Sequence, residues 1–341
     1  MASGRAKRWQ TGVPVGTGRA RSAGRRRHQR RSGSSSGSVD LSTTVGSVSF
    51  VAPVMTASGT AGYGPELSAY VDLRRIGAVV VKSLGSAPWA GNPAPRVHST
   101  PAGMINSVGL QGPGVTAWRD TELPDLLATG ATVVVSIWGR SVADFAAAAE
   151  QLAGIDERVV AVEVNLSCPN LDGGAHLFAH DPAATRAVLS EVAAAGLPMW
   201  AKLSANTDRV VEVAAAAQDA GADAVTLANT VMGMVIDVDA RRPVLGAGGG
   251  GVSGPAIHPV AVRTVYDCYA ALPELPIVGV GGVVDGRSAV ELLLAGASAV
   301  QVGTASFADP RAVGVVRDEV EQWCSRSGVR SVSELIGGAH V

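Results

Sequence analysis

Lysine is nearly missing from this chain. Of its 28 basic residues only Lys7, Lys82 and Lys202 are lysines, so arginine serves almost wherever a positive charge is needed. Cysteine is equally scarce. Cys168, Cys268 and Cys324 are spaced for neither a disulfide framework nor a metal or iron–sulfur centre, and no metal site is expected. Free thiols fit a reducing cytoplasm. Aromatic residues make up 4% of the chain, so its core must be built from Ala, Val, Leu and Ile. That suits helices packed closely on a parallel sheet. No apolar run reaches the roughly 18 residues of a membrane-spanning helix. No glycine-rich dinucleotide fingerprint follows the first strand, which argues against a Rossmann fold.

Acidic residues are missing from one region. Residues 1–38 carry ten Lys or Arg and no Asp or Glu, leaving residues 39–341 with a formal charge of −11. The basic segment is poor in apolar side chains and rich in Arg, Gly and Ser. It cannot bury enough surface to offset chain entropy and is expected to be disordered. Its charge suits nucleic acid or anionic lipid, and its composition is similar to a transit sequence without the apolar face. The favoured reading is an over-long gene assignment with the true start near Val39, so no function is drawn from it.

What is present is a recurring unit. Short apolar runs predict strands at 53–58, 78–83, 132–138, 161–167, 199–204, 224–230, 277–281 and 299–304. Ala-rich helical patterns lie between most of them, at 65–75, 142–153, 182–195, 209–220, 259–272 and 287–295, with a last helix at 310–324. Ser141, Asp181, Asp208 and Asp309 are placed to cap helix starts, and Gly196, Gly221 and Gly296 follow helix ends. Eight strands alternating with helices predict an α/β fold, a (β/α)8 TIM barrel over residues 39–341. The connections from strand 2 to 3 and from strand 6 to 7 are long, and belong over the active site.

Nearly every strand ends in small, polar or charged residues. They are Ala57-Ser58, Lys82-Ser83, Ser136, Asn165 to Asn170, Lys202, Asn229-Thr230, Gly281-Gly282 and Gly303-Thr304. A single strand-end Asn is more often a turn former than a ligand, but in a barrel all these positions converge on one cavity. Two surviving lysines at strand ends point the same way, since a compact ammonium is not interchangeable with a guanidinium. The glycines of strands 7 and 8, with Gly254, let backbone N–H groups approach a phosphate. The segment Asn165-Leu166-Ser167-Cys168-Pro169-Asn170 places a thiol and two carboxamides at the lip of strand 4. A thiol there can move a proton, and carboxamides can hold a planar polar ligand.

These residues carry a resemblance. Met104-Ile105-Asn106-Ser107-Val108-Gly109-Leu110, Asn165 to Asn170, Ala228-Asn229-Thr230, Gly254-Pro255-Ala256-Ile257, Gly279-Val280-Gly281-Gly282 and Val302-Gly303-Thr304-Ala305 together resemble the class 1 dihydroorotate dehydrogenases. Those are FMN-dependent barrel enzymes of pyrimidine synthesis, and the match runs from about Val45 to Gly338. Cys168 stands where class 2 enzymes have serine. The stretch from Asn229 to Asp237, followed by Arg241 to Leu245, resembles subclass 1B, whose members pair with a subunit carrying FAD and an iron–sulfur cluster and pass electrons to NAD.

The resemblance implies the following roles. Cys168 takes a proton from C5 of dihydroorotate while hydride leaves C6 for N5 of FMN. Asn106, Ser107, Val108, Gly109, Leu110, Asn165, Asn170, Asn229 and Thr230 hold the substrate ring and carboxylate. Lys82 lies between substrate and flavin. Ala57, Ser58, Ser83, Ser136, Asn165, Lys202, Gly254, Gly281, Gly282, Gly303 and Thr304 surround FMN, with Lys202 near its N1/O2 edge. A homodimer at the core of a heterotetramer is implied, with no nucleic-acid or membrane partner. Ser136 stands where subclass 1B commonly has Asn, His258 where Lys is usual, and Val252 where Leu is usual. The alternative enzyme is a dihydropyrimidine dehydrogenase-like subunit. The alternative of another class is a non-catalytic flavin- or RNA-binding protein.

Overall fold

Eight apolar runs become eight parallel strands. A computed structural model describes residues 38–167 and 178–340. Its barrel strands are β1 (Val54–Thr56), β2 (Val79–Val80), β3 (Val133–Ile137), β4 (Val159–Asn165), β5 (Met199–Lys202), β6 (Ala224–Leu227), β7 (Ile277–Val280) and β8 (Ala299–Val302). They pair in the order β1-β8-β7-β6-β5-β4-β3-β2. The ends of that order also meet. Gly77 N–H donates to the Val54 carbonyl at 2.8 Å and Thr56 N–H to that of Ala78 at 3.1 Å, which closes the barrel. All but β4 fall inside the stretches expected from sequence, and β4 begins earlier, at Val159.

The helices follow the strands as expected from Val142 onward. Ser141 accepts from Asp144 N–H while the Asp144 carboxylate accepts from Ser141 N–H, a reciprocal cap. Asp181 caps Pro182–Val192 through Ala183 N–H. Asp208 does not cap its helix, which starts at Val210 with no side-chain bond. Asp309 binds Arg311 N–H just ahead of Ala312–Ser327. The helix expected at 65–75 is replaced by two single turns, Glu66–Ala69 and Leu73–Arg75. Asp72 breaks it, because its extended backbone and its carboxylate, bonded to Arg74 N–H, favour a fresh turn over a continuous ladder.

Alternate residues of each strand face the barrel axis and fill it in layers. The N-terminal layer is apolar, built on Met55, Val134, Ala161, Trp200 and Val278. A hairpin of Thr43–Val45 and Val48–Phe50 plugs it from below, with Phe50 edge-on to Trp200 at 5.8 Å. Two residues further along the strands the interior turns polar. Ser136, Glu163, Lys202, Thr226 and Gln301 are all buried. The strand tips form the third layer.

The two long connections pair with each other. Val97–Thr100 and Gly103–Asn106 come from the first, Val231–Gly233 and Gly250–Ser253 from the second. They make one antiparallel sheet in the order 231–233, 250–253, 103–106, 97–100. The first connection also carries helices at Val115–Thr121 and Leu123–Ala128. Among the described residues, no helix is long and apolar enough to cross a membrane.

Candidate active site

The strand tips are tied into one hydrogen-bonded chain. Ser58 Oγ lies 3.2 Å from Ser83 Oγ, which lies 2.9 Å from Ser136 Oγ. Asn165 Nδ2 donates to Ser83 Oγ at 3.2 Å, and Asn229 Nδ2 to Asn165 Oδ1 at 3.4 Å. Asn229 Oδ1 accepts from Thr230 N–H at 2.8 Å. Residues of β3 and β4 and those just beyond β1, β2 and β6 thus share one network. Ser136 is fully buried and bonded to Ser83.

The glycines form a second cluster. A Cβ on Gly254, which has φ +97°, would lie 2.7 Å from Gly103 Cα and 3.5 Å from Thr304 Cγ2. One on Gly282, with φ +69°, would lie 3.0 Å from the Gly254 carbonyl oxygen. Thr304 Oγ1 donates to Ser253 Oγ at 2.8 Å. The clusters adjoin, since a Cβ on Gly303 would sit 3.3 Å from Ala57 Cβ. Gly281 packs toward Ala261, and His258 Nδ1 meets the Gly281 carbonyl at 2.8 Å.

The loop after Asn106 is braced from several sides. Asn106 pairs with Gly251 across the antiparallel sheet. Ser107 N–H donates to the Arg96 carbonyl at 2.8 Å. The Val108 carbonyl accepts from Asn92 N–H, and that of Gly109 from Trp89 Nε1 at 3.0 Å. Gly109 and Leu110 both have positive φ, +74° and +62°. For leucine this is uncommon, and such backbone is held only where its surroundings impose it. Ser107 Oγ is buried with no partner among the described residues.

Lys82 and Lys202 differ. Lys82 is half-buried, and its ammonium makes no hydrogen bond among the described residues. Burial, with the Arg96 guanidinium nearby, lowers its pKa to about 8. Lys202 lies in the polar layer, 3.2 Å from Glu163 Oε1. Cys168 and Asn170 lie outside the described residues. The chain arrives there through Ser167 N–H, which donates to Asn165 Oδ1 at 3.2 Å.

Several site-forming residues escaped the sequence reading. Asn206 Nδ2 donates to the Thr230 carbonyl, while its Oδ1 accepts from Met232 N–H. Arg96 binds the Asn92 and Ala90 carbonyls and Gln111 Oε1. Glu163, Thr226 and Gln301 build the polar layer. The available signal was a lone carboxylate in the otherwise apolar run Val159 to Val164.

A closed barrel with polar and glycine-lined strand tips beneath a sheet made from its own connections is the architecture of a barrel enzyme. A family model described as dihydroorotate dehydrogenase matches residues 40–323. The chain belongs to the dihydroorotate dehydrogenase family. It is similar to the dihydroorotate dehydrogenase B (NAD(+)) catalytic subunit of Desulforudis audaxviator, 49% identical over 289 residues, 84% of this chain and 94% of that one. The subunit of the same name from Geobacter sulfurreducens is 45% identical over 303 residues, 89% of this chain and 99% of that one. That of Geobacter sp. strain M21 is 46% identical over 299 residues, 87% and 97%.

Proposed function

We propose that residues 39–341 form an FMN-binding domain that oxidises dihydroorotate to orotate in pyrimidine synthesis, with a separate subunit carrying electrons to NAD. The observation that carries this reading is the network linking Ser58, Ser83, Ser136, Asn165 and Asn229 beside the glycine cluster. Of the glycines, Gly254 and Gly281 are buried and pack on Gly103 and Ala261, while Gly282, Gly303 and Thr304 are half-buried, so a phosphate would meet the backbone at these last three positions. When bound, FMN supplies the acceptor for the hydride that leaves substrate C6.

The chain's own residues do the rest. Asn106, Asn165, Asn170, Asn229 and Thr230 orient the planar ring through donor and acceptor pairs. Ser107 and the backbone of Val108, Gly109 and Leu110 hold the carboxylate. Cys168 receives the C5 proton. Lys82 places positive charge beside the anionic substrate. Lys202 offsets negative charge that develops on the cofactor. Ala57, Ser58, Ser83 and Ser136 shape the floor at strands β1 to β3.

Lys82 gives the site a pH dependence with a definite sign. An anion binds best while Lys82 is protonated, so orotate affinity is full below about 8 and falls as pH rises beyond it. The decline is at most about tenfold per pH unit for one proton. Titrating orotate into the holoprotein from pH 7 to 9.5 should show this fall. Lys82→Met should bind more weakly at pH 7 and lack that component. An unchanged profile in Lys82→Met would remove the lysine from the substrate site.

The partner is tested by reconstitution. The sequence offers neither a dinucleotide fingerprint nor cluster ligands, so the isolated chain should pass electrons from dihydroorotate to artificial dyes and turn over NAD poorly. Adding an FAD- and iron–sulfur-bearing subunit should confer efficient NAD reduction, in a heterotetramer built on a homodimer of this chain. Efficient NAD or fumarate turnover by the lone chain would contradict the subclass 1B reading and leave the barrel chemistry intact.

A further inference from the structure

The polar layer inside the barrel is arranged around one carboxylate. Glu163 is fully buried, and three other strands donate to it. Lys202 Nζ on β5 lies 3.2 Å from Oε1, Thr226 Oγ1 on β6 lies 3.2 Å from Oε2, and Gln301 Nε2 on β8 lies 2.7 Å from Oε2. The Gln301 amide is oriented toward Glu163 although its Oε1 is then buried without a partner among the described residues. The opposite orientation would set amide oxygen against carboxylate oxygen. The layer directly beneath is apolar, and the next carboxylate down, Asp223 at the base of β6, is bonded to Met199 N–H and Ser47 Oγ.

We propose that Glu163 is a positioning residue for Lys202, fixing its ammonium in the polar layer just beneath the strand tips and setting the net charge that the cofactor meets. A lysine head is a compact charge on a flexible stem and goes where its partner holds it. Thr226 and Gln301 immobilise the carboxylate, and the carboxylate immobilises the ammonium. The pair is neutral as a unit. Glu163 therefore moderates the effect of Lys202 on an anionic reduced flavin, and the two residues should move the flavin potential in opposite directions. This inference rests on the placement of Lys202 beside FMN proposed above.

Equilibration of FMN-bound protein with a reference dye measures the effect. Glu163→Gln should raise the reduced-to-oxidised flavin ratio about tenfold at a given dye potential, or about 30 mV for a two-electron couple. Lys202→Ala should lower it. A role in packing alone predicts no shift for Glu163→Gln. That result, or a fall, would overturn the proposal. Gln301→Leu, which loosens the carboxylate but keeps the charge pair, supplies a second variant should Glu163→Gln fail to fold. It should move the ratio downward and by less, because the ammonium is held less firmly and the carboxylate loses a donor that disperses its charge, and no change or a rise would count against the proposal.

A readout without cofactor uses the scarcity of lysine. In apo-protein carrying ¹³C-labelled lysine, Glu163→Gln should displace the Lys202 side-chain resonance and leave that of Lys82 in place. An unmoved Lys202 resonance would refute positioning. Wild-type protein that binds no FMN, or whose FMN dihydroorotate does not reduce, would strike the functional reading itself. Normal reduction without the opposed shifts would strike only the role of Glu163.

Discussion

Cys168→Ala is expected to retain FMN and orotate binding and to reduce its flavin with dihydroorotate about 10²–10⁴-fold more slowly, the usual loss on removing a general base. The thiol follows β4 directly. Leu166 N–H donates to the Lys202 carbonyl, and Ser167 N–H to Asn165 Oδ1, so the strand is tethered up to the residue before Cys168. The other two thiols are no substitutes. Cys268 and Cys324 are fully buried, and burial raises both, that of Cys268 to about 12. A free thiol titrates near 8.5, so the wild-type rate should rise toward that pH. Cys168→Ser should keep part of the activity and need higher pH. Stopped-flow flavin reduction measures all three proteins. A near-normal rate in Cys168→Ala would make the residue a bystander.

Glu163→Ala is expected to cost the fold about 3–5 kcal/mol, because it leaves a buried ammonium without its counter-charge. The substitution also strips the acceptor from Thr226 and Gln301. Replacing both charges, as in Glu163→Met with Lys202→Met, should cost less than Glu163→Ala alone, since a buried pair exchanged for apolar residues of similar size is often tolerated. Denaturant unfolding of apo-protein compares the two. A loss under about 1 kcal/mol for Glu163→Ala, as for an exposed pair, would show that water reaches the layer.

The barrel itself was legible because its signals are local. A run such as Ala78-Val79-Val80-Val81 is short and β-branched and reads as a buried strand, and Lys82-Ser83 marks its polar tip. The clustering of strand tips follows from closure alone. What was not legible depends on distant partners. Gly103–Asn106 pairs with Gly250–Ser253, far along the chain, so both segments read as loops. Val45 and Phe50 show no sign that they plug the barrel until Trp200 lies above them. Glu163 meets Gln301 across 138 residues. The helix expected at 65–75 failed for the reverse reason, because a local bond of Asp72 outweighs a helical pattern.

The central claim is that this barrel draws electrons from dihydroorotate into its own FMN. Anaerobic mixing of the purified chain with dihydroorotate tests it most directly. The protein should be yellow, release FMN and not FAD on denaturation, and lose its flavin colour in a single turnover that yields one orotate per flavin. Colourless protein that cannot be reconstituted with FMN, or bound FMN that dihydroorotate leaves oxidised, would contradict the account.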